Sequence, residues 1–244
     1  MESEDSTPPE NPKTEKQSES SSKRQTKKAV TRKFMRLALF LVGIACIGAG
    51  LYGLNRRHTA TTGEAILPDP SQVVDGTDQQ PEEKKPTDDQ AASYTVPADQ
   101  PRSIRIDSVN IYGLVQRVGV TKDNAVGTPS NVNFAGWYAN SQLPGADDLS
   151  IIDGHVSGKY SDGIFKHLSD VKNGDTVEVE FGDKSTKQFT VVDVKKLPEA
   201  ESAAFLFEKR PDIVSQLNLI TCGGAFNKDT QEYEDRVIVV TQLI

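Results

Sequence analysis

The sequence predicts a mainly β protein, in which one membrane-spanning helix precedes a closed or nearly closed barrel of seven or eight short strands. Three observations support this fold class. Residues 101–244 contain short runs rich in β-branched residues, several of which alternate apolar and polar positions. Turn-forming residues separate these runs, and helical patterns are scarce. Residues 37–54 form an apolar run without a single charge.

The composition excludes several function classes. The chain has 244 residues, a net charge of −7, two cysteines and 36% hydrophobic residues. These values are unlike those of a basic nucleic-acid-binding protein, a disulfide-stabilised scaffold or a multi-span membrane protein. The charge is unevenly distributed, at +3 over residues 1–36, 0 over 37–54, −5 over 55–100 and −5 over 101–244. The charge pattern therefore predicts four segments of different chemistry.

The first two segments are predicted to be a disordered basic cytoplasmic tail, residues 1–36, and a transmembrane signal anchor, residues 37–54. A helix over 37–54 would be about 27 Å long, close to the thickness of the hydrocarbon layer. Seven basic residues lie in the stretch 23–36 just before the run and only Arg56 and Arg57 directly after it, which predicts a cytoplasmic N-terminus and an extracellular C-terminal domain. A cleaved signal peptide and a buried soluble helix are the alternatives.

The third segment, residues 55–100, is predicted to be an acidic, proline-containing linker. It has five prolines, many Asp, Gln and Thr residues, and no sustained apolar period. We expect it to hold the following domain at a distance from the membrane.

The fourth segment, residues 101–244, is long enough for one domain with a sizeable core. Its predicted strands are 103–106, 111–118, 148–153, 176–181, 188–194, 217–222 and 236–243. Short helices are expected near 164–168 and at 202–209, where Pro211 would prevent continuation. The connection 195–216 exceeds ordinary loop length, so we expect it to carry function or a helix of its own.

Cys222 is the first candidate for chemistry. Cys46 lies in the apolar run and is expected to fill a helix face as a small apolar residue. Cys222, in contrast, ends an apolar strand directly before Gly223 and Gly224. A single thiol in an oxidising compartment is a liability unless it has a function, although a buried inert cysteine is the alternative.

His155 and Arg236 are the other two candidates. His155 comes where a predicted strand meets a loop; in isolation, such a histidine is more often a hydrogen-bonded surface residue. Arg236 opens the last predicted strand. If the last two strands form an antiparallel pair, Cys222 and Arg236 face each other with Cβ atoms about 5 Å apart. In isolation, Arg236 could equally pair with a neighbouring carboxylate.

The three residues together indicate acyl transfer. Cysteine supplies a nucleophile, histidine exchanges protons with a leaving or attacking amine, and arginine stabilises a thiolate or an oxyanion. Such a set would open an amide through a thioester.

Residues 101–244 contain a set of short motifs: LITC at 219–222, DGH at 153–155, DR at 235–236, GIF at 163–165, NGD at 173–175, GW at 136–137 and LPG at 143–145. In these motifs the segment resembles the sortases, membrane-anchored cysteine transpeptidases of Gram-positive cell envelopes. The segments ITCGGAF and GW…DGHV are most similar to class F sortases of actinobacteria, with classes E and D as alternatives.

This resemblance implies an eight-stranded sortase-type β-barrel with Cys222 as nucleophile, His155 as general acid and base, and Arg236 as stabiliser of oxyanion and substrate. Thr221 is expected to bind substrate or tune the thiol. Sortases cleave an LPxTG-type sorting signal after Thr and transfer the acyl group to an amine of a peptidoglycan precursor. The implied partners are therefore surface proteins with that signal, the precursor and the cell membrane. This chemistry requires no cofactor and no metal.

Two other functions stay open. One is a cysteine peptidase that uses the same residues only for hydrolysis, and the other is a non-enzymatic envelope-binding barrel with an incidental thiol. Because the sequence stops at Ile244 without a second apolar run, we expect protein anchoring rather than pilin polymerisation. No clear lid precedes the barrel in the sequence, although linker residues 85–100 could cover its groove.

Overall fold

A computed structural model describes residues 64–75, 80–122, 124–229 and 232–244 of the chain. The predicted tail, the predicted membrane segment and the first part of the predicted linker lie outside these residues. None of the helices in the described ranges is long and apolar enough to span a membrane.

The described residues form one closed barrel of eight strands, in the order β1-β2-β3-β4-β7-β8-β6-β5. The strands are β1 Pro101–Ile106, β2 Ile111–Val118, β3 Ala135–Tyr138, β4 Asp148–Gly154, β5 Thr176–Phe181, β6 Thr186–Pro198, β7 Ser215–Asn227 and β8 Glu232–Leu243. The helices are α1 Asp88–Ser93 and α2 Glu199–Leu206, with 3-10 turns at Asp107–Val109 and Leu168–Asp170. The prediction of a mainly β, eight-stranded closed barrel is confirmed.

Three strands extend four or more residues beyond a predicted end. β6 continues to Pro198, β7 continues to Asn227, and β8 begins at Glu232. The added residues pair with one another, as in Pro198 opposite Asp235 on β8 and Asn227 opposite Glu232. The side chains of these extensions are mostly exposed, so their sequence has no alternating apolar pattern. Only their backbone hydrogen bonds to the neighbouring strand identify them as strands.

The short elements also differ from the prediction. β3 has only four residues, too few for a period-two pattern, and exists because it pairs with β2 on one side and β4 on the other. Helix α2 begins at Glu199 and ends at Leu206, rather than covering 202–209. Near 164–168 the chain forms hydrogen-bonded turns that lead into the 3-10 turn Leu168–Asp170.

Apolar side chains pack on both faces of the β4–β7–β8 sheet. Ile152, Leu219 and Val239 belong to the cluster that fills the barrel interior. Ile220 and Ile238 belong to a second cluster on the outer face, where α2 and the chain after it cover them. This alternation identifies which side of each strand faces outward.

The described part of the segment predicted to be a linker packs against the barrel. Tyr94 is buried, its hydroxyl donates to the Val115 carbonyl over 3.0 Å, and its ring meets Phe134 edge-on. The Arg102 guanidinium donates to the carbonyls of Tyr94 and Ala91. Most of these attachments are hydrogen bonds to backbone atoms, which explains why the segment shows no apolar period in the sequence.

We expect Tyr94→Ala to lower the free energy of unfolding by about 3 kcal/mol, because it removes a buried ring and leaves a cavity. Chemical denaturation of the purified protein measures this change. Tyr112→Ala is the control, since Tyr112 is 57% exposed, and we expect it to cost less than about 1 kcal/mol. Equal losses in the two variants would contradict a stabilising role for the segment before β1.

Candidate active site

Cys222 and Arg236 lie directly opposite each other in the antiparallel β7–β8 pair. Both residues lie within longer strands instead of at the strand ends, because the ladder continues beyond them to Asn227 and Glu232. The ladder is interrupted between Gly223 and Phe226, after the Cys222–Arg236 pair.

Side-chain alternation assigns Cys222 and Arg236 to the outer face of the sheet. Cys222 follows Ile220 by two residues, and Arg236 precedes Ile238 by two, so each shares the face of an isoleucine in the outer cluster. The thiol and the guanidinium therefore lie on the same face of the sheet, next to the buried outer cluster that contains Ile220 and Ile238.

His155 is brought to the same level by the parallel pairing of β4 with β7. Asp153 lies opposite Ile220 in this pair, so a step of two residues along each strand brings His155 level with Cys222. β4 ends at Gly154, which makes His155 the first residue after the strand, as the sequence predicts.

Thr221 faces the interior of the barrel rather than the outer face that carries Cys222 and Arg236. It is 2% exposed, and its hydroxyl donates to the Gly154 carbonyl over 2.6 Å. The Thr221 hydroxyl is therefore not accessible for the predicted contact with substrate. The hydrogen bond instead ties the last residue of β4 to β7, which holds His155 level with Cys222.

The imidazole of His155 is oriented by a backbone carbonyl. Nε2 lies 2.8 Å from the carbonyl oxygen of Pro129. Since a carbonyl only accepts, Nε2 carries the hydrogen, and Nδ1 is the nitrogen that gains or loses a proton. Burial lowers the pKa of His155, although the hydrogen bond to Pro129 opposes this effect.

The thiol of Cys222 is neutral at physiological pH. Burial raises its pKa to about 11, Arg236 counteracts this increase, and Asp153 and Glu199 add to it. Because burial disfavours the charged form of both groups, the neutral thiol and neutral imidazole are the main state, and the thiolate–imidazolium pair is a minor one.

The guanidinium of Arg236 is held by three acceptors. Nη1 donates to the carbonyls of Tyr233 and Asp235 over 2.9 and 3.1 Å, and Nη2 donates to a carboxylate oxygen of Glu199 over 2.7 Å. Glu199 is the first residue of α2. The helix in the β6–β7 connection thus supplies the counter-charge that fixes Arg236 on the outer face.

The sequence prediction of this site omits two of its acidic residues. Glu199 lies in the connection 195–216, for which the sequence predicts only a function or a helix of its own. Asp153 is 8% exposed, and burial raises its pKa to about 7, against the effects of the Gly154 amide and Arg236. Asp153 lies two residues before His155, on the same face of the sheet as the thiol. The DGH motif therefore contained the signal that could have identified it as part of the site. Across the described ranges, no group of three or more His, Cys, Asp and Glu side chains is arranged to hold a metal ion.

Comparisons with known proteins identify one family. The model described as the sortase domain matches residues 104–244, more than half of the chain. Similar solved structures include a lid mutant of sortase A from Corynebacterium diphtheriae, with 19% identity, coverage of 64% of this chain and 75% of that one, and a TM-score of 0.47. Sortase C-1 from Actinomyces oris has 19% identity, coverage of 59% and 72%, and a TM-score of 0.44. Sortase A from Listeria monocytogenes has 22% identity, coverage of 60% and 88%, and a TM-score of 0.44. No curated protein matches the chain significantly.

We expect Cys222 to react slowly with iodoacetamide at neutral pH and faster toward pH about 11, because only the thiolate attacks. Arg236→Ala removes the cation that favours the thiolate and should slow the reaction at pH 8. Glu199→Gln removes a carboxylate that disfavours the thiolate and should accelerate it. Mass spectrometry of the peptide that contains Cys222 follows the reaction separately from Cys46, and equal rates in the two variants would contradict this electrostatic account.

Proposed function

The chain belongs to the sortase family, and we propose that it is a membrane-anchored cysteine transpeptidase that cleaves an LPxTG-type sorting signal and joins it to the cell wall. One observation carries the proposal. The strand register sets Cys222 opposite Arg236 and level with His155, on one outer face of the barrel.

In the first half of the reaction, Cys222 acts as the nucleophile. Transfer of the thiol proton to His155 yields the thiolate, which attacks the carbonyl carbon of the Thr in the sorting signal. Arg236 stabilises the negative charge on the carbonyl oxygen, and His155 returns the proton to the departing glycine amine. The Thr–Gly amide bond breaks, and a thioester on Cys222 forms.

In the second half, an amine of a peptidoglycan precursor attacks the thioester. His155 takes a proton from that amine, and the Cys222 sulfur leaves as a thiolate, which then recovers a proton. One amide has been broken and one formed, with no water consumed. The apolar outer cluster, in which Ile220 and Ile238 are buried under α2 and the chain after it, fixes the part of the sheet that carries Cys222 and Arg236.

The location and subclass form part of the same proposal. Residues 37–54 are proposed to anchor the enzyme as a single span, with the N-terminus in the cytoplasm and the catalytic domain outside. The segments ITCGGAF and GW…DGHV favour class F over classes E and D.

We expect the full-length protein, purified in detergent, to convert an LPxTG peptide and triglycine into a new amide, and Cys222→Ala to form no product. Mass spectrometry of the products distinguishes the candidate functions. Release of only the free acid would indicate a hydrolytic peptidase instead. If the wild-type protein leaves the peptide uncleaved, and Cys222→Ala cells anchor surface proteins normally, the envelope-binding barrel is supported.

We expect kcat/KM for transpeptidation to follow a bell-shaped pH profile. Below the lowered pKa of His155 both groups are protonated, so no thiolate is present; above about 11 the thiol and imidazole have both lost their protons. Activity should therefore rise on the acid side, stay level through neutral pH and fall near pH 11. A profile that does not change between pH 5 and 11 would contradict the assigned roles.

A further inference from the structure

The loop after His155 forms a narrow hairpin that is built directly on this residue. Phe165 donates its amide to the His155 carbonyl over 2.9 Å, which closes the base of the hairpin. At the tip, the Gly158 amide donates to the Ser161 carbonyl over 2.8 Å. Residues 156–163 are thus one unit, and displacement of its tip acts on the backbone of His155.

Glu83, in the segment before the barrel, caps the tip of this hairpin. One carboxylate oxygen accepts from the Lys159 amide over 2.6 Å, and the other accepts from the Tyr160 amide over 2.8 Å and the Ser161 hydroxyl over 3.0 Å. Although partial burial raises the pKa of Glu83, these hydrogen bonds outweigh it, so the pKa lies below its ordinary value. The carboxylate is therefore ionised at neutral pH and uses both oxygens.

The backbone around Glu83 is attached to the loop that orients the imidazole. The Glu82 amide donates to the Ser130 carbonyl over 2.8 Å, and the Val132 amide donates to the Glu82 carbonyl over 2.9 Å. Ser130 follows Pro129, whose carbonyl accepts from Nε2 of His155. The same short stretch of chain thus contacts both segments that hold His155.

A buried side chain of the barrel also holds the loop that contains Pro129 and Ser130, here called the Pro129 loop. Gln116 of β2 is fully buried, and its side-chain oxygen accepts from the amide and the hydroxyl of Ser130 over 3.1 and 3.2 Å. At the base of the hairpin, the Ile164 amide donates directly to the Val132 carbonyl over 2.8 Å. The stretch around Glu83 adds a second link, which joins the same loop to the tip of the hairpin 156–163.

We propose that Glu83 is a positioning residue for His155: it clamps the hairpin 156–163 against the Pro129 loop and so keeps the imidazole level with Cys222. This inference rests on the role proposed for His155. Glu83 contacts neither the thiol nor the imidazole directly; it acts through the two backbone segments on either side of the histidine.

A carboxylate suits this position because three donors converge on two acceptor oxygens. In Glu83→Gln the amide keeps one acceptor and turns an NH₂ group toward a backbone N–H, so at least one donor loses its partner. Glu83→Ala removes all three hydrogen bonds. The two variants therefore remove different numbers of the hydrogen bonds between residue 83 and the hairpin tip.

We expect Glu83→Gln and Glu83→Ala, made in the full-length protein in detergent, to lower kcat for LPxTG transpeptidation about 10-fold to 100-fold, with KM within about twofold. The expected reason is a displaced imidazole rather than weaker substrate binding. NMR titration of histidine-labelled protein, with the His155 signal assigned by its loss in His155→Gln, should show the His155 pKa rising toward its ordinary value as the ring becomes more exposed.

Gly158→Ala tests the clamp from the opposite side. A Cβ atom at Gly158 would lie 2.6 Å from Cδ of Glu83, so the carboxylate has to move, while the Gly158 backbone does not adopt the left-handed conformation that requires glycine. We expect a loss of kcat similar to that in Glu83→Ala. In a Glu83→Ala background the same substitution should add little, because its effect passes through Glu83.

Glu82→Gln is the matched control, with the same charge change one residue away. The Glu82 carboxylate accepts from the Lys84 amide within its own segment, so we expect kcat and the His155 pKa to stay unchanged. The proposal is overturned if Glu83→Gln and Gly158→Ala have the same kcat and the same His155 pKa as Glu82→Gln. It is also overturned if they lose stability and activity without a change in the His155 pKa. If the wild-type protein forms no amide product, the proposed function fails, but the NMR comparison still decides the role of Glu83.

Discussion

The parallel pairing of β4 with β7 is the constraint on which the candidate site depends, because it joins two strands far apart in the chain and sets their relative level. Asp153 opposite Ile220 is the last pair of this ladder. Beyond it, the Thr221 hydroxyl ties Gly154 to β7. A slip of one residue would turn every side chain of a strand to the other face, so the interior and outer apolar clusters both hold His155 level with Cys222.

The same packing makes charge costly at the site. Burial favours the neutral thiol of Cys222 and the neutral imidazole of His155. Arg236 favours the thiolate, but its own charge is paired with Glu199, and the buried carboxyl of Asp153 lies on the same face. The two carboxyl groups limit the effect of the cation on the thiol, so the reactive ion pair is a minor state that the fold positions without making it dominant.

The functional unit begins before the first strand of the barrel. Since a closed barrel has no free strand edge, the segment before β1 packs on the outside of the barrel and on its loops. It does so through Tyr94, directly after α1, and through short backbone pairings at Val74 and Glu82. The second of these pairings reaches the loop that orients His155. The contacts of one polar stretch therefore extend from the outer barrel surface to the loops that surround the histidine.

The sequence by itself determined the β-barrel class and the order of His155, Cys222 and Arg236, because alternating apolar runs, strand ends and short motifs are local patterns. Only the tertiary structure decided that β7 and β8 continue past Cys222, that Glu199 pairs with Arg236, and that the Thr221 hydroxyl faces the barrel interior. It also decided that Glu83, in a segment whose composition indicates a linker, caps the hairpin after the histidine. Each of these features is a hydrogen bond or a ladder between two separate segments of the chain, and such pairing leaves no period or motif in either segment alone.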